Sequence, residues 1–176
     1  MLNQRVIVRS RLDTSAEEKL KNSLQSLGAV QDLQLSRVFW LLEKKSGAFS
    51  ALNIEKNLSR IFCDPISEDL SVGFPQFHDD KLYVEVRFLP GVTDNWARSA
   101  TEALALLSSD VTTSWQDFDI EVHSGWQVEM KADLSQKHIE QNLFQSLANP
   151  LLNRVDIHHG TDLKKNNSLG GYHNYW

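Results

Sequence analysis

The chain has 176 residues and a mass of 20.1 kDa, the size of one ordinary domain or two small ones. Hydrophobic residues make up 41% and charged residues 23%, a globular balance that excludes wholesale disorder. Net charge is −5, and with 10 basic and 11 acidic side chains in 1–80 and 6 and 11 in 81–160, no segment offers the basic footprint of a nucleic-acid binder.

In chain order, residues 5–12 alternate in polarity and are rich in Val and Ile, which predicts a strand. A helix follows over 15–27, with Ala16, Leu20, Leu24 and Leu27 on one face, Thr14 or Ser15 as its cap and Gly28 as its stop. Residues 30–44 read as a hairpin with a weak turn at Ser36-Arg37, and its second strand, Val38 to Leu42, is apolar on both faces. A second helix over about 50–63 ends before Pro65, since the residue preceding proline disfavours the helical region. A short strand at 69–72 and a linker, 74–80, close this half.

The second half repeats the order. Residues 82–88 read as a strand, and Asp94 caps a helix whose Trp96, Ala100, Ala103, Leu104 and Leu107 share a face. A hairpin is expected over 115–131 about Ser124-Gly125, then a helix over 135–148 ending before Pro150, then a strand at 154–158. The repetition is also written in the residues. Ile54-Glu55-Lys56-Asn57-Leu58 recurs as Ile139-Glu140-Gln141-Asn142-Leu143, and Gln31-Asp32 and Pro65 fall on Gln116-Asp117 and Pro150 at the same offset of 85. The first strands match at 78 instead. Strand–helix–strand–strand–helix–strand, twice, predicts an α+β chain of tandem ferredoxin-like repeats. These would pack sheet to sheet as a pseudo-dimer of eight strands with four helices outside. The expected division is 1–73, first copy; 74–80, linker; 81–160, second copy; 161–176, tail.

Chemistry-bearing residues are sparse. His158-His159 with His173 has poor metal-ligand spacing, and neighbouring strand residues point to opposite faces. Cys63 is the one cysteine, which excludes an internal disulfide framework and a Cys-rich zinc site, and reads as a buried thiol. His123 and His138 read as solvated, Asp117, Asp119 and Glu121 as the wet side of a strand, and Asp79-Asp80 as linker charge. No phosphate loop, nucleophile elbow or H-E-x-x-H string occurs, so no catalytic, cofactor or metal residue is assigned and no cofactor is expected. The longest apolar runs, Val38 to Leu42 and Ala103 to Leu107, are five residues, against about 20 for a membrane span. With no signal-like N-terminus either, a cytoplasmic location without membrane contact is expected. Two segments stand out as partner contacts. One is the strand-to-helix loop with Pro90, Gly91, Asp94, Trp96 and Arg98; the other is the tail, with Tyr172, Tyr175 and Trp176.

Strand, Pro90-Gly91-Val92-Thr93-Asp94, then an alanine-rich helix resembles the opening of the PurS family, the small subunit of phosphoribosylformylglycinamidine synthase in purine biosynthesis. Gln31 to Arg37 is similar to that family's second strand, and Leu147-Ala148-Asn149-Pro150-Leu151-Leu152 to the end of its second helix. The fused form of the synthase carries two PurS-like halves in its N-terminal domain, and the resemblance covers residues 5–160. It departs at Leu12-Asp13-Thr14-Ser15, where the family has a proline-containing loop, and at Leu106-Leu107-Ser108-Ser109, which lacks the usual Leu-Gly.

The resemblance implies a non-catalytic subunit or domain that bridges a synthetase (large) subunit and a glutaminase and supports ammonia transfer between them. With both copies in one chain, the pairing would be internal and the chain monomeric alone. Two other functions compete. A small-molecule-binding regulatory module of tandem ferredoxin-like type would hold its ligand near Pro90 to Asp94. An RNA-binding module would need exposed sheet aromatics amid basic residues, which Asp119, Glu121 and Glu129 oppose.

Overall fold

The computed structural model describes residues 3–12, 14–26, 30–51, 54–73, 77–107, 118–133 and 135–161. The fold is α+β. Its elements are β1 (Asn3–Ser10), α1 (Ser15–Gln25), β2 (Val30–Glu43), the single turn α2 (Ala48–Ala51), α3 (Ile54–Phe62), β3 (Glu68–Val72), β4 (Leu82–Phe88), α4 (Asn95–Leu106), β5 (Ile120–Ala132), α5 (Gln136–Ser146) and β6 (Asn153–His159). Strand order is β3-β1-β2-β5-β4-β6. β1 runs antiparallel to β2 and β3, and β4 antiparallel to β6.

Neither expected hairpin forms. β2 passes without a break through Ser36-Arg37, and β5 through Ser124-Gly125, so the described strands number six, not eight. The reason lies in how the chain partitions. The first compact unit takes β1, residues 36–43 of β2, α2, α3, β3, α4 and residues 120–125 of β5. The second takes α1, residues 30–35 of β2, β4, residues 126–132 of β5, α5 and β6. At Ser36 and Gly125 the chain therefore leaves one unit for the other instead of turning back. Counted with each long strand as two pieces, every unit is a β-α-β-β-α-β set of ferredoxin-like type whose first helix and second strand come from the other sequence half. The two sequence halves are thus exchanged reciprocally between the units.

Two apolar cores follow. In the first unit Val6, Val8, Phe39, Leu41, Leu58 and Phe62 of the first half pack with Ala97, Ala100, Leu104, Ile120 and Val122 of the second. In the second unit Leu20, Leu24, Leu33 and Leu35 pack with Leu82, Val84, Val128, Met130, Ile139 and Leu143. The helix contacts run across the halves as well, and the Ser23 hydroxyl donates to Asn142 Oδ1 at 2.9 Å between α1 and α5.

Local chemistry explains the helix ends. Thr14 Oγ1 accepts from the Glu17 N–H at 3.2 Å, and Glu17 and Glu18 sit in the first turn, where carboxylates oppose the helix dipole favourably. Ser135 caps α5, its side chain accepting from the His138 N–H. Gly28, the expected stop of α1, and Leu27 lie outside the described residues. Of the linker, residue Phe77 is described and buried, its ring edge-on to Tyr83 at 4.9 Å. The Tyr83 hydroxyl accepts from the His78 N–H at 2.9 Å.

β4 is buried along both faces. Leu82 and Val84 point into the second core, while Tyr83, Glu85 and Arg87 lie on the alternate face with their charges paired. Arg87 Nη2 meets Asp156 Oδ2 at 2.6 Å, and Lys81 Nζ meets Glu129 Oε1 at 2.5 Å.

Candidate functional site

Residues 90–95, which lead from β4 into α4, form a corner of the first unit. Gly91 has φ +84, a left-handed value that favours glycine, so Pro90-Gly91 makes the turn the sequence promised. Pro90 and Gly91 are exposed. Asp94 is the N-cap of α4, and its carboxylate does three things at once. Oδ1 accepts from the Ala97 N–H at 2.9 Å and from the Ser124 hydroxyl at 2.6 Å, and Oδ2 accepts from the Ser124 N–H at 2.7 Å. Ser124 is 1% exposed, so the cap also locks the helix start onto β5.

The buried face of α4 is Ala97, Ala100, Thr101 and Leu104, spaced i, i+3, i+4, i+7. This corrects the sequence reading of the face. Trp96 stands 44% exposed and Leu107 43%, outside the core stripe. The indole of Trp96 instead lies beneath the Arg37 guanidinium, 5.9 Å from its ring centroid. Arg37 Nη2 in turn meets Glu68 Oε1 at 2.5 Å, and Glu68 Oε2 accepts from the Asp64 N–H at 2.9 Å. Arg98 Nε pairs with Glu102 Oε1 at 3.0 Å, one turn along the same helix. Pro90, Gly91, Asp94, Trp96 and Arg98 are thus one continuous corner, whereas Tyr172, Tyr175 and Trp176 lie outside the described residues.

Sequence reasoning missed Arg37, Glu68 and Ser124. The sequence pattern marks Arg37 and Ser124 as turn residues. Only the antiparallel register, which no local pattern reveals, places Arg37 and Glu68 on strands to either side of β1.

Elsewhere the chemistry is structural. Arg11 donates to Asp69 Oδ1 from Nε at 3.0 Å and Nη2 at 2.8 Å, and to the Pro65 and Ile66 carbonyls from Nη1. Hydrogen bonding to Arg11 holds the Asp69 carboxyl below its ordinary range, and donation from Ile66 N–H and the Ser67 hydroxyl does the same for Asp64. Cys63 is half-buried, and desolvation, then the Glu68 charge, push its thiol pKa up, the reverse of what a nucleophile needs.

His138 is exposed, with Nδ1 3.0 Å from Ser135 Oγ, and His123 Nε2 lies 3.1 Å from Glu121 Oε1. Asp119 and Glu121 side chains are about half exposed; Asp117 and His173 lie outside the described residues. Asp80 pairs with Lys131 at 2.5 Å. Among the described residues no three His, Cys, Asp or Glu side chains gather as a metal site, and no helix is long and apolar enough to cross a membrane.

One groove, about 430 Å³, lies in the second unit along α1, lined by Glu17, Glu18, Lys21, Asn22, Gln25 and Leu33. Glu17 is already engaged there, accepting from the Leu35 N–H at 3.3 Å. Neither the models of protein families nor the curated proteins contain a match to this chain.

Proposed function

We propose that this chain is a non-catalytic scaffold of the PurS type, a subunit or N-terminal domain of phosphoribosylformylglycinamidine synthase. In that role it bridges the synthetase and the glutaminase and helps ammonia pass between them. The reading is supported above all by the reciprocal exchange: two ferredoxin-like units are each completed by the opposite sequence half, so a single chain supplies both copies that the resemblance calls for. The Pro90-Gly91…Asp94-Trp96 corner adds a rigid contact bearing a half-exposed Trp stacked on Arg, residue types enriched at interface hot spots.

The mechanism is positional. The chain supplies no group to the conversion of formylglycinamide ribonucleotide, ATP and glutamine into the amidine, glutamate, ADP and phosphate. It holds the ammonia-producing and ammonia-consuming partners together, raising the effective concentration of one at the other. Reconstitution tests this. Added to a large synthetase subunit and a glutaminase, the chain should restore glutamine-dependent amidine formation while leaving ammonia-dependent formation unchanged. Full glutamine-dependent turnover in its absence would contradict the proposal.

A further inference from the structure

β6 stands at one end of the strand order, with β4 on one side and no strand among the described residues on the other. The register shows which main-chain groups this leaves over. The Leu89 N–H donates to the Leu152 carbonyl at 2.8 Å and the Gly160 N–H to the Lys81 carbonyl at 3.0 Å. The even-numbered residues of β6 therefore turn their N–H and C=O toward β4, while Val155, Ile157 and His159 turn theirs away. Asn153 faces outward too, but its N–H already donates to the Asn149 carbonyl at 2.7 Å. Such an edge is a template for another strand, and edges that must stay single are usually short or bulged. β6 runs through seven residues in unbroken register.

The side chains select the strand that fits. Arg154 and Asp156 share one face of β6, opposite Arg87 and Glu85 of β4. Asp156 Oδ2 accepts from Arg87 Nη2 at 2.6 Å and from Arg154 Nε at 2.9 Å; Oδ1 takes neither bond. A second copy of β6, antiparallel about a two-fold axis, pairs through its own odd-numbered residues, so the axis falls at Val155, Asp156 or Ile157. An axis at Asp156 sets two like charges face to face. One at Ile157 leaves Arg154 opposite a glycine, Gly160. With the axis at Val155, Arg154 stands opposite the partner's Asp156 twice, in non-hydrogen-bonded pairs where side chains come closest. Val155 then exchanges both main-chain bonds with its own mate, and the Ile157 N–H reaches the partner's Asn153 carbonyl. The strand at the other end of the order, β3, fits itself less well: Glu68 to Val72 carries acidic side chains and no basic one, so no two-fold register gives it an ion pair.

We propose that β6 is a self-recognition edge: two copies of this chain join β6 to β6, antiparallel about a two-fold axis at Val155. The interface is isologous and closed, so assembly stops at two copies. The proposal goes beyond the scaffold reading and does not depend on it. It departs from the monomer that the resemblance implies, because completing each unit within one chain still leaves the outer side of β6 open to a strand.

Sedimentation equilibrium of the full chain over a concentration series tests this, with Val155→Pro, Arg154→Glu and Val72→Pro beside the parent. The parent should show twice the chain mass, falling toward a single chain on dilution. Val155→Pro removes an N–H that β4 does not use, a change edge strands tolerate, and should be a monomer that still melts cooperatively. Arg154→Glu sets like charges opposite each other twice and should weaken the dimer about tenfold or more. Its side chain is 42% exposed, so it decides the matter even if the proline unfolds the chain. Val72→Pro makes the same change on the outward side of β3 and should leave the dimer intact. A monomeric parent would overturn the proposal, whatever else occupies the edge. So would a dimer that survives both β6 variants, one that Val72→Pro dissolves, or a mass that climbs past two chains, the mark of open joining of β3 to β6.

Discussion

Asp94 shows how much one short side chain can fix. Its three accepted hydrogen bonds cap α4 and satisfy the buried backbone N–H of Ser124. Replacing it with Ala removes the cap and strands that N–H, at a combined cost of about 2–3 kcal/mol. Urea denaturation of Asp94→Ala should show a lower midpoint with an unchanged slope; a loss below about 0.5 kcal/mol would mean that the corner is not held this way.

Acid stability belongs to the same scale. The folded carboxyls of Asp64 and Asp69 titrate below their unfolded value of about 3.9, so the unfolded chain binds more protons as pH falls. Their contribution is whole well above that value and is lost as pH drops through the lowered folded ones. Thermal midpoints should therefore fall below about pH 4, and Asp64→Asn, which installs the amide of its sequence equivalent Asn149, should flatten that fall. An identical acid profile for the variant would contradict the assignment.

Among the elements, β4 has the least usual composition, since its second face buries charge. Beside it, Lys81, the residue before β4, pairs with Glu129 of β5, their side chains 19% and 9% exposed. Replacing Glu129 leaves the Lys81 ammonium largely buried without this carboxylate, which costs about 3–5 kcal/mol, while replacing both with apolar residues costs far less. Glu129→Leu alone should be the most destabilised, and the Lys81→Met, Glu129→Leu double variant should recover most of the loss. A simple sum of the single effects would show that the pair is not coupled.

Helices and caps were legible because their signals are local: Thr14, Asp94 and the prolines each act within a few residues. The α4 face was misjudged by including Trp96, since apolar residues near a helix start fit a stripe whether or not the core reaches them. The long strands were misread for a related reason. Ser36-Arg37 and Ser124-Gly125 do mark a change of course, but a strand that crosses into another unit and one that folds back carry the same turn-like residues. The Arg37–Trp96 stack needed tertiary register and left no trace in spacing.

At the scale of the whole molecule, duplication was readable from the 85-residue offset, and its consequence was not. Each compact unit draws on both sequence halves, and so does each core. The most direct test is to divide the chain. Residues 1–74 and a tagged 75–176 should copurify one to one when coexpressed and unfold in one cooperative transition, because neither half carries a complete core. A tagged half that elutes alone and melts cooperatively would contradict the exchange.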